Sequence, residues 1–403
     1  MTAPVTTRRG LLRSACRHCF GLAGITAGLP ALAQGNAVAA AVPAAGLTAM
    51  PQRFSRPALD SEEGGLWAVM DREEARLRRS PFVVRDAALS KFLQDMVCRL
   101  TQDHCADVRV HVVRTPLFNA SMAPNGMMQV WSGLLLRVDN EAQLAAVLGH
   151  ELGHYLERHT LERLRDAKNK AAFAQFIGLF GLVGAIGQLG VLASMFSFSR
   201  EQENSADRIG MRLMQSAGYD GRQAALVWDN LLGELRIKGG ASVGSQSPMM
   251  ATHPPVENRR DELLRLAGSG SGGTGTPEFR QAIAPHRLGW IHDEIKRGQF
   301  EESLVLFERL LKEDKANAQL LYARGEVYRQ RAGKDDQQHA LDSLNGAVVL
   351  DNPPPEAFRS LGLVQKQRDD PGSAFQSFEK YLAAAPDAPD AGLIRNYIAE
   401  LKP

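Results

Sequence analysis

Apolar residues recur at two periods along this chain, and the periods predict helices and short strands. A helical period runs through residues 61–79 and returns between Asp86 and Leu100. Residues 108–113 carry β-branched side chains in alternation, and residues 119–130 place a Pro-Asn-Gly turn between two strand-like arms. A long helix is expected from Glu141 to Asn169, with Asp139 or Asn140 as its N-cap.

The last third of the chain repeats a helical pattern after a run of glycine, serine and threonine at residues 268–275. This composition is typical of a flexible linker, so a domain boundary is predicted there. Small and aromatic residues then fall at the offsets of a tetratricopeptide unit of about 34 residues. Gly325 and Gly362 stand where paired helices would approach each other. A generic helical bundle is the alternative interpretation.

The first 33 residues have the composition of an export signal. An apolar stretch there ends in Ala31-Leu32-Ala33, and no acidic side chain is present. Together with a basic start, this is typical of a secretory signal peptide cleaved near Ala33. The paired arginines also fit a twin-arginine signal, so both export routes stay open. The basic residues of this segment are Arg8, Arg9, Arg13 and Arg17.

Charge and cysteine content narrow the choice of partners and compartment. The formal charge of the chain is +2, less than the signal arginines alone carry, so the remainder is weakly acidic and no nucleic-acid partner is expected. Beyond the signal the cysteines are Cys98 and Cys105. Seven positions apart, they can form a local disulfide in an oxidising compartment or stay as free, buried thiols.

The segment His150-Glu151-Leu152-Gly153-His154 carries the chemistry of a zinc site. Residues four apart lie one turn above each other on a helix, so His150 and His154 can present two imidazoles to one Zn²⁺. Glu151 lies beside them and can reach a water without ligating the ion. Two surface histidines on a polar helix are the alternative, which fits poorly with the apolar neighbours. The third histidine, His159, is predicted to lie off this face, at the surface.

A catalytic zinc site usually has three protein ligands, so a carboxylate from another element is required. Glu203 and Asp207 lie at i and i+4 on a second predicted helix. Glu203 is the candidate third ligand, and Asp207 can accept the remaining ring N–H of a zinc histidine. Glu201 is the nearest rival but points elsewhere on that helix, and a solvated charged face is the alternative interpretation.

Residues 171–199 carry no charged side chain, which by hydropathy alone is typical of a transmembrane helix. A single crossing would put His150 and His154 on one side of a bilayer and Glu203 on the other. Two crossings would need about 40 residues. We therefore expect a buried or membrane-apposed helical hairpin, with peripheral membrane contact, in preference to a span.

In combination, these motifs resemble the BepA-type periplasmic peptidases, relatives of the CAAX prenyl endopeptidase and HtpX families. The resemblance rests on the two motifs above, on Thr252-His253-Pro254 and on the C-terminal repeats, and it covers the chain from about residue 60. It implies one Zn²⁺ per chain held by His150, His154 and Glu203, Glu151 as general base and Asp207 as a supporting carboxylate. A periplasmic location is likewise implied.

Further residues gain roles only through this resemblance. The matching histidine of the relatives lies on a loop near the metal, where His253 could latch the open position or stabilise an oxyanion; a surface histidine is the alternative. Arg259 matches a family arginine, and the resemblance implies that it holds that loop or an anion. Residues 119–126 match a hairpin whose edge pairs with extended substrate, which makes Asn119, Ala120 and Met122 candidate substrate-binding residues.

The expected fold is α+β and mostly α: a zincin-like metallopeptidase domain with a small β-sheet, followed by a helical tetratricopeptide domain. The expected divisions are a signal at 1–33, a flexible lead-in at 34–58, the peptidase at 59–267, a linker at 268–277 and repeats at 278–403. The expected function is zinc-dependent endopeptidase activity in envelope protein quality control. Its partners would be misassembled outer-membrane proteins and their assembly machinery, bound through the repeats. A chaperone or adaptor with a latched or structural zinc site is the alternative.

Overall fold

The computed structural model describes residues 51–166, 197–238, 247–253 and 258–401. The predicted signal, most of the lead-in, residues 171–196 of the predicted hairpin and residues 239–246 of the loop before His253 lie outside the described residues. Within the described ranges, no helix is both long enough and apolar enough to cross a membrane.

The N-terminal part of the fold is two helices and a small mixed sheet. Helices α1 (Glu62–Arg79) and α2 (Ala87–Thr101) begin at Ser61 and Asp86, whose side chains accept from backbone N–H groups of the first turn. A 3-10 helix (Gln102–Asp107) leads into the strands, whose order is β1-β3-β2, with β3 parallel to β1 and antiparallel to β2. The strands are β1 (Arg109–Val113), β2 (Ala120–Met122) and β3 (Met127–Trp131). These positions confirm the predicted helices, strands and turn.

The prediction of one long helix from Glu141 to Asn169 is wrong. After α3 (Ser132–Arg137), α4 runs from Glu141 to Leu156 with Asn140 as its N-cap, and a separate helix α5 (His159–Asp166) follows. Arg158, between them, has a φ of +57°, a left-handed conformation that ends the first helix and redirects the chain. Apolar periodicity does not reveal such a turn.

Among the described residues, four helices complete the part of the fold that carries the predicted metal ligands. They are α6 (Arg200–Ser216), α7 (Arg222–Leu235), the short α8 (Pro248–Thr252) and α9 (Arg259–Ala267), with a 3-10 turn (Arg236–Lys238) after α7. Ser199 and Gln202 form a capping box at the start of α6. Helix α6 packs along α4, and α7 packs against both α4 and α9.

The remaining helices pair in sequence order. At two crossings the helices touch because one contributes glycine: a Cβ on Gly325 would lie 2.7 Å from Leu344, and one on Gly362 would lie 2.6 Å from Phe378. The predicted role of both glycines is confirmed. The bounds are α10 (Thr276–Lys296), α11 (Phe300–Glu313), α12 (Ala318–Arg331), α13 (Asp336–Val348), α14 (Pro355–Gln367), α15 (Pro371–Ala384) and α16 (Ala391–Leu401).

The glycine-rich segment at 268–275 is fixed in place, which differs from the flexible linker expected from its composition. Gly273 accepts from the N–H of Asp220 and donates to Gly218 O, at 3.1 and 2.9 Å, and Thr274 O accepts from Ala142 at 3.0 Å. The glycines permit this contact, since a Cβ on Gly272 would lie 2.3 Å from the Tyr219 backbone. The domain boundary itself stays a prediction.

Two further features of the N-terminal part are settled by the structure. Cys98 and Cys105 form a disulfide, with Cα atoms 4.4 Å apart, so the free-thiol alternative does not hold. Residues 51–58, predicted as part of a flexible lead-in, make specific contacts: the Pro51 carbonyl lies 2.8 Å from Nε2 of His104, and Phe54 packs edge-on against Tyr155. The lead-in is therefore ordered from about Pro51.

Candidate metal centre

Helix α4 carries the His-Glu-x-x-His segment through the interior of the fold. Its residues are buried along its whole length, and His150, Glu151 and His154 are 2%, 3% and 1% exposed. Burying a polar side chain costs free energy unless it forms hydrogen bonds, so three of them on one buried helix indicate a functional site.

Small residues bring α6 close enough to reach these side chains. A Cβ on Gly153 would lie 2.8 Å from Cα of Ala206, and one on Gly210 would lie 2.8 Å from the backbone nitrogen of His150. The backbones of the two helices are therefore in contact. At this spacing Glu203 and Asp207, both on α6, face the imidazoles of α4.

The donor atoms of His150, His154 and Glu203 have the spacing of a tetrahedral zinc site. Ligands about 2.0–2.1 Å from one Zn²⁺ at tetrahedral angles lie roughly 3.3 Å from one another. Here Nε2 of His154 is 3.1 Å from Nε2 of His150 and 3.3 Å from Oε1 of Glu203, and His150 Nε2 is 3.5 Å from Glu203 Oε2. The residues fit the zinc ion expected from the sequence.

His253 completes the group as a fourth donor. It stands at the C-cap of α8, is 3% exposed, and places Nδ1 3.1 Å from His150 Nε2 and 2.9 Å from Glu203 Oε1. The donor atoms of all four side chains lie within 4.8 Å of one another. The other ring nitrogen, Nε2, lies 3.4 Å from Oε1 of Glu151. His253 therefore stands between the three candidate ligands and the candidate base.

Asp207 and Arg259 make hydrogen bonds that orient the candidate ligands His150 and Glu203. Nδ1 of His150 donates to Oδ1 of Asp207 at 2.8 Å, which leaves Nε2 free to face the other donors. Arg259 donates to the same Asp207 oxygen at 2.7 Å and to Oε2 of Glu203 at 3.2 Å, and its guanidinium lies 4.0 Å above the Trp228 ring. Arg259 thus fixes two carboxylates, and its role in holding the loop or an anion stays a prediction.

The surroundings shift the pKa values of Glu203 and Glu151 in opposite directions. Burial acts to raise the pKa of Glu203, but the charges of His253 and His150 and hydrogen bonds from histidines hold it well below its ordinary value. Burial raises the pKa of Glu151 above its ordinary value, although the charge of His253 opposes the shift. A carboxylate that stays ionised suits a metal ligand, and one whose pKa is raised suits a proton acceptor.

Sequence comparison supports the same chemistry. Residues 84–267 match the family described as Peptidase family M48. The chain therefore contains a Peptidase M48 domain. The matched range holds the whole donor cluster together with Asp207 and Arg259.

Named relatives of the M48 domain come from mitochondria and bacteria. Mitochondrial metalloendopeptidase OMA1 of Arabidopsis thaliana is 35% identical over 158 residues, 39% of this chain and 31% of that protein. Beta-barrel assembly-enhancing protease of Escherichia coli (strain K12) is 28% identical over 201 residues, 46% of this chain and 40% of that protein. Its counterpart from Yersinia pestis is 23% identical over 367 residues, 78% and 73% of the two chains. The chain spans less than half the length of the first two relatives.

Strand β2 forms one edge of the described sheet of the M48 domain. Trp131 donates to Asn119 O at 3.1 Å, and Ala123 donates to Met127 O at 2.8 Å. Because hydrogen-bonded pairs alternate along antiparallel strands, the backbone groups of Ala120 and Met122 point away from β3. The side chains of Ala120 and Met122 are buried, and β2 packs against α4. The open edge of β2 thus borders the helix that carries the donors.

Sequence reasoning missed two residues of the M48 site. His159, predicted to be a surface residue, is 5% exposed, and its Nδ1 lies 3.0 Å from Nδ1 of His154. The prediction was wrong because it continued one helix through the turn at Arg158. Phe198 stacks on the His154 ring, with centroids 3.8 Å apart and an interplanar angle of 22°. No signal in the sequence distinguishes Phe198 from its apolar neighbours.

Proposed function

We propose that this chain is a zinc-dependent endopeptidase that hydrolyses internal peptide bonds of protein substrates. The observation that carries the proposal is the convergence of His150, His154 and Glu203 at tetrahedral spacing, with Glu151 one residue along the same buried helix. The M48 match and the relatives described as metalloendopeptidases support it.

The proton transfers fall to Glu151. Zinc, when bound, supplies a Lewis acid that polarises the scissile carbonyl and acidifies a water. Glu151 does not belong to the tetrahedral donor set, so its carboxylate is free to take a proton from the attacking water and return it to the leaving amine. Its raised pKa brings it closer to the pH at which such an exchange is efficient.

Substrate binding is assigned to the open edge of β2. An extended peptide can add to this edge through the backbone groups of Ala120 and Met122, with Asn119 at the start of the strand. Since β2 packs against α4, a strand added there would pass the metal centre. Backbone pairing of this kind accepts many sequences, as suits an enzyme that removes damaged proteins.

His253 is assigned as a latch. Its Nδ1 lies within 3.1 Å of donor atoms of both His150 and Glu203, and its Nε2 faces Glu151. In this position it shields the base and fills the place that a substrate carbonyl needs. Activity therefore requires His253 to move, after which its imidazole can stabilise the oxyanion.

We further propose that the enzyme works in the periplasm in envelope protein quality control. Relatives named beta-barrel assembly-enhancing proteases support this assignment, as does the signal-like segment at 1–33. The substrates would be misassembled outer-membrane proteins. The helical repeats after residue 277 would bind these substrates or their assembly machinery.

The test compares three purified proteins for zinc content and casein hydrolysis: wild type, Glu151→Gln and the control Glu157→Gln, at the C-cap of the same helix. Glu151→Gln should keep one zinc per chain and lose hydrolysis by at least about 100-fold, because it removes the proton acceptor but no ligand. Glu157→Gln should cleave like the wild type. Full hydrolysis by Glu151→Gln would overturn the mechanism.

A second candidate is a repeat-containing adaptor whose zinc site is permanently latched. The position of His253 favours it, because its imidazole would supply a fourth donor beside those of His150, His154 and Glu203. His253→Ala decides between the two. Cleavage by either protein supports the peptidase; an increase in His253→Ala identifies the latch, and a decrease identifies the stabilisation of the oxyanion by His253. Zinc binding without cleavage in both proteins supports the adaptor.

A further inference from the structure

Two side chains outside the predicted donor set hold the His154 ring. His159 lies against Nδ1 of His154 at 3.0 Å, and Phe198 stacks on the ring face at a centroid distance of 3.8 Å. His150, by contrast, is oriented by Asp207. The two candidate zinc histidines are therefore supported by different chemistry.

The contact with His159 selects one tautomer of His154. When Nε2 of His154 faces Glu203 and His150, the ring proton stands on Nδ1, which donates to Nδ1 of His159. His159 must then be neutral and carry its proton on Nε2. Partners of this kind fix both the rotation of a metal histidine and its basicity.

Phe198 adds a second constraint and links it to the latch. Its backbone N–H donates to Thr252 O at 3.0 Å, and its ring lies 5.1 Å from that of His253. Arg163 of α5 donates to Ser197 O, and its guanidinium lies 5.5 Å above the Phe198 ring. Phe198 thus contacts His154 with its side chain and Thr252, the residue before the latch His253, with its backbone.

We propose that His159 and Phe198 are positioning residues for the metal centre: His159 fixes the tautomer and rotation of His154, and Phe198 fixes its ring plane beside the latch. This inference rests on the proposed zinc function. It assigns no contact with substrate to either residue. Its consequence is that zinc affinity depends on two residues that ligate nothing.

The test measures zinc affinity by competition with a chromophoric chelator, together with the visible spectrum of the Co²⁺-loaded protein. His159→Leu removes the acceptor and should weaken zinc binding about 10- to 100-fold, the usual effect of losing such a partner. His159→Asn places an amide oxygen near the position of Nδ1 and should restore most of the affinity. A spectrum altered in His159→Leu and restored in His159→Asn identifies a positioning role.

Phe198 is tested in the same way with Phe198→Leu, which lacks a flat face, and Phe198→Tyr, which keeps it. The leucine variant should lose zinc affinity by about tenfold, and the tyrosine variant should retain it. The control is His339→Leu, an exposed histidine of α13. Thermal melting of each apo protein separates loss of fold from loss of metal.

Wild-type zinc affinity in both His159→Leu and Phe198→Leu would overturn the inference while leaving the peptidase assignment intact. Equal losses in His159→Leu and His159→Asn would also overturn the role of His159. A wild type that binds no zinc would overturn the proposed function, and the inference that rests on it would fall as well.

Discussion

Arg137 is expected to stabilise the contact between the M48 domain and helix α10. It is 5% exposed and pairs with Glu234 of α7 at 2.8 Å and with Glu294 of α10 at 2.9 Å. Both carboxylates are buried, at 2% and 0% exposure. Each has a second arginine: Arg309 lies 3.2 Å from Glu234, and Arg297 lies 2.8 Å from Glu294.

Arg137→Met keeps most of the side-chain volume and removes the charge. Removing one member of a buried ion pair costs about 3–5 kcal/mol, because its partner stays buried and unpaired. Here each glutamate retains one arginine, so we expect the lower end of that range. A loss of about 3 kcal/mol corresponds to roughly a 150-fold change in the unfolding equilibrium.

The matched control is Arg114→Met. Arg114 also joins the M48 domain to α10, through Asp293 at 2.6 Å, but its side chain is 51% exposed. An exposed pair contributes less than about 1 kcal/mol. The assay is urea unfolding of both variants and the wild type, followed by circular dichroism. Equal losses in the two variants would show that burial makes no difference to the contribution of these ion pairs, contrary to the expected cost.

The same cluster sets a pH dependence. Burial acts to raise the pKa of Glu294, but Arg137 and Arg297 lower it below its ordinary value. A carboxyl whose folded pKa is depressed stabilises the fold above its unfolded pKa, and this contribution is lost as the pH falls through the folded value. The difference in stability between wild type and Arg137→Met should therefore shrink as the solution is acidified from neutral pH.

Three further predictions follow from other contacts. Gly153→Ala should weaken zinc binding at least about tenfold in chelator competition, because its Cβ would lie 2.8 Å from Cα of Ala206. The control Gly149→Ala, whose Cβ would lie 3.1 Å from Gly210 O, should weaken it less, and the reverse ranking would contradict this explanation. Replacing Cys98 and Cys105 by serine should lower the free energy of unfolding in urea by about 2–3 kcal/mol, and reduction of the wild type should match it. Burial acts to raise the pKa of Glu74, but hydrogen bonds from Arg109 and His111 lower it to about 2. The stabilising effect of the Glu74 carboxylate is therefore lost as the pH falls toward that value, and the melting temperature of Glu74→Gln should depend less on acid pH than that of the wild type.

The sequence predicted well what depends on local spacing. The i, i+4 positions of His150 and His154 and of Glu203 and Asp207 placed four side chains on two helix faces, and the structure brings those faces together. What sequence reasoning missed depends on backbone turns and on contacts distant in sequence. The left-handed residue Arg158 moved His159 from the expected surface to the metal centre. Phe198 stacks on a residue 44 positions away, for which no periodicity exists.

The C-terminal helices α10–α16 differ most from the sequence expectation in how they join the M48 domain. Composition predicted a flexible tether at 268–277, yet one continuous cluster of buried apolar residues includes Leu144 of α4, Trp290 of α10 and Leu344 of α13. The buried pairs of Arg137 and the backbone hydrogen bonds of Gly273 cross the same junction. The linker glycines therefore permit close approach and do not provide freedom of movement. It follows that packed side chains set the distance from the C-terminal helices to the metal centre, so lengthening residues 268–275 would cost stability without changing that distance.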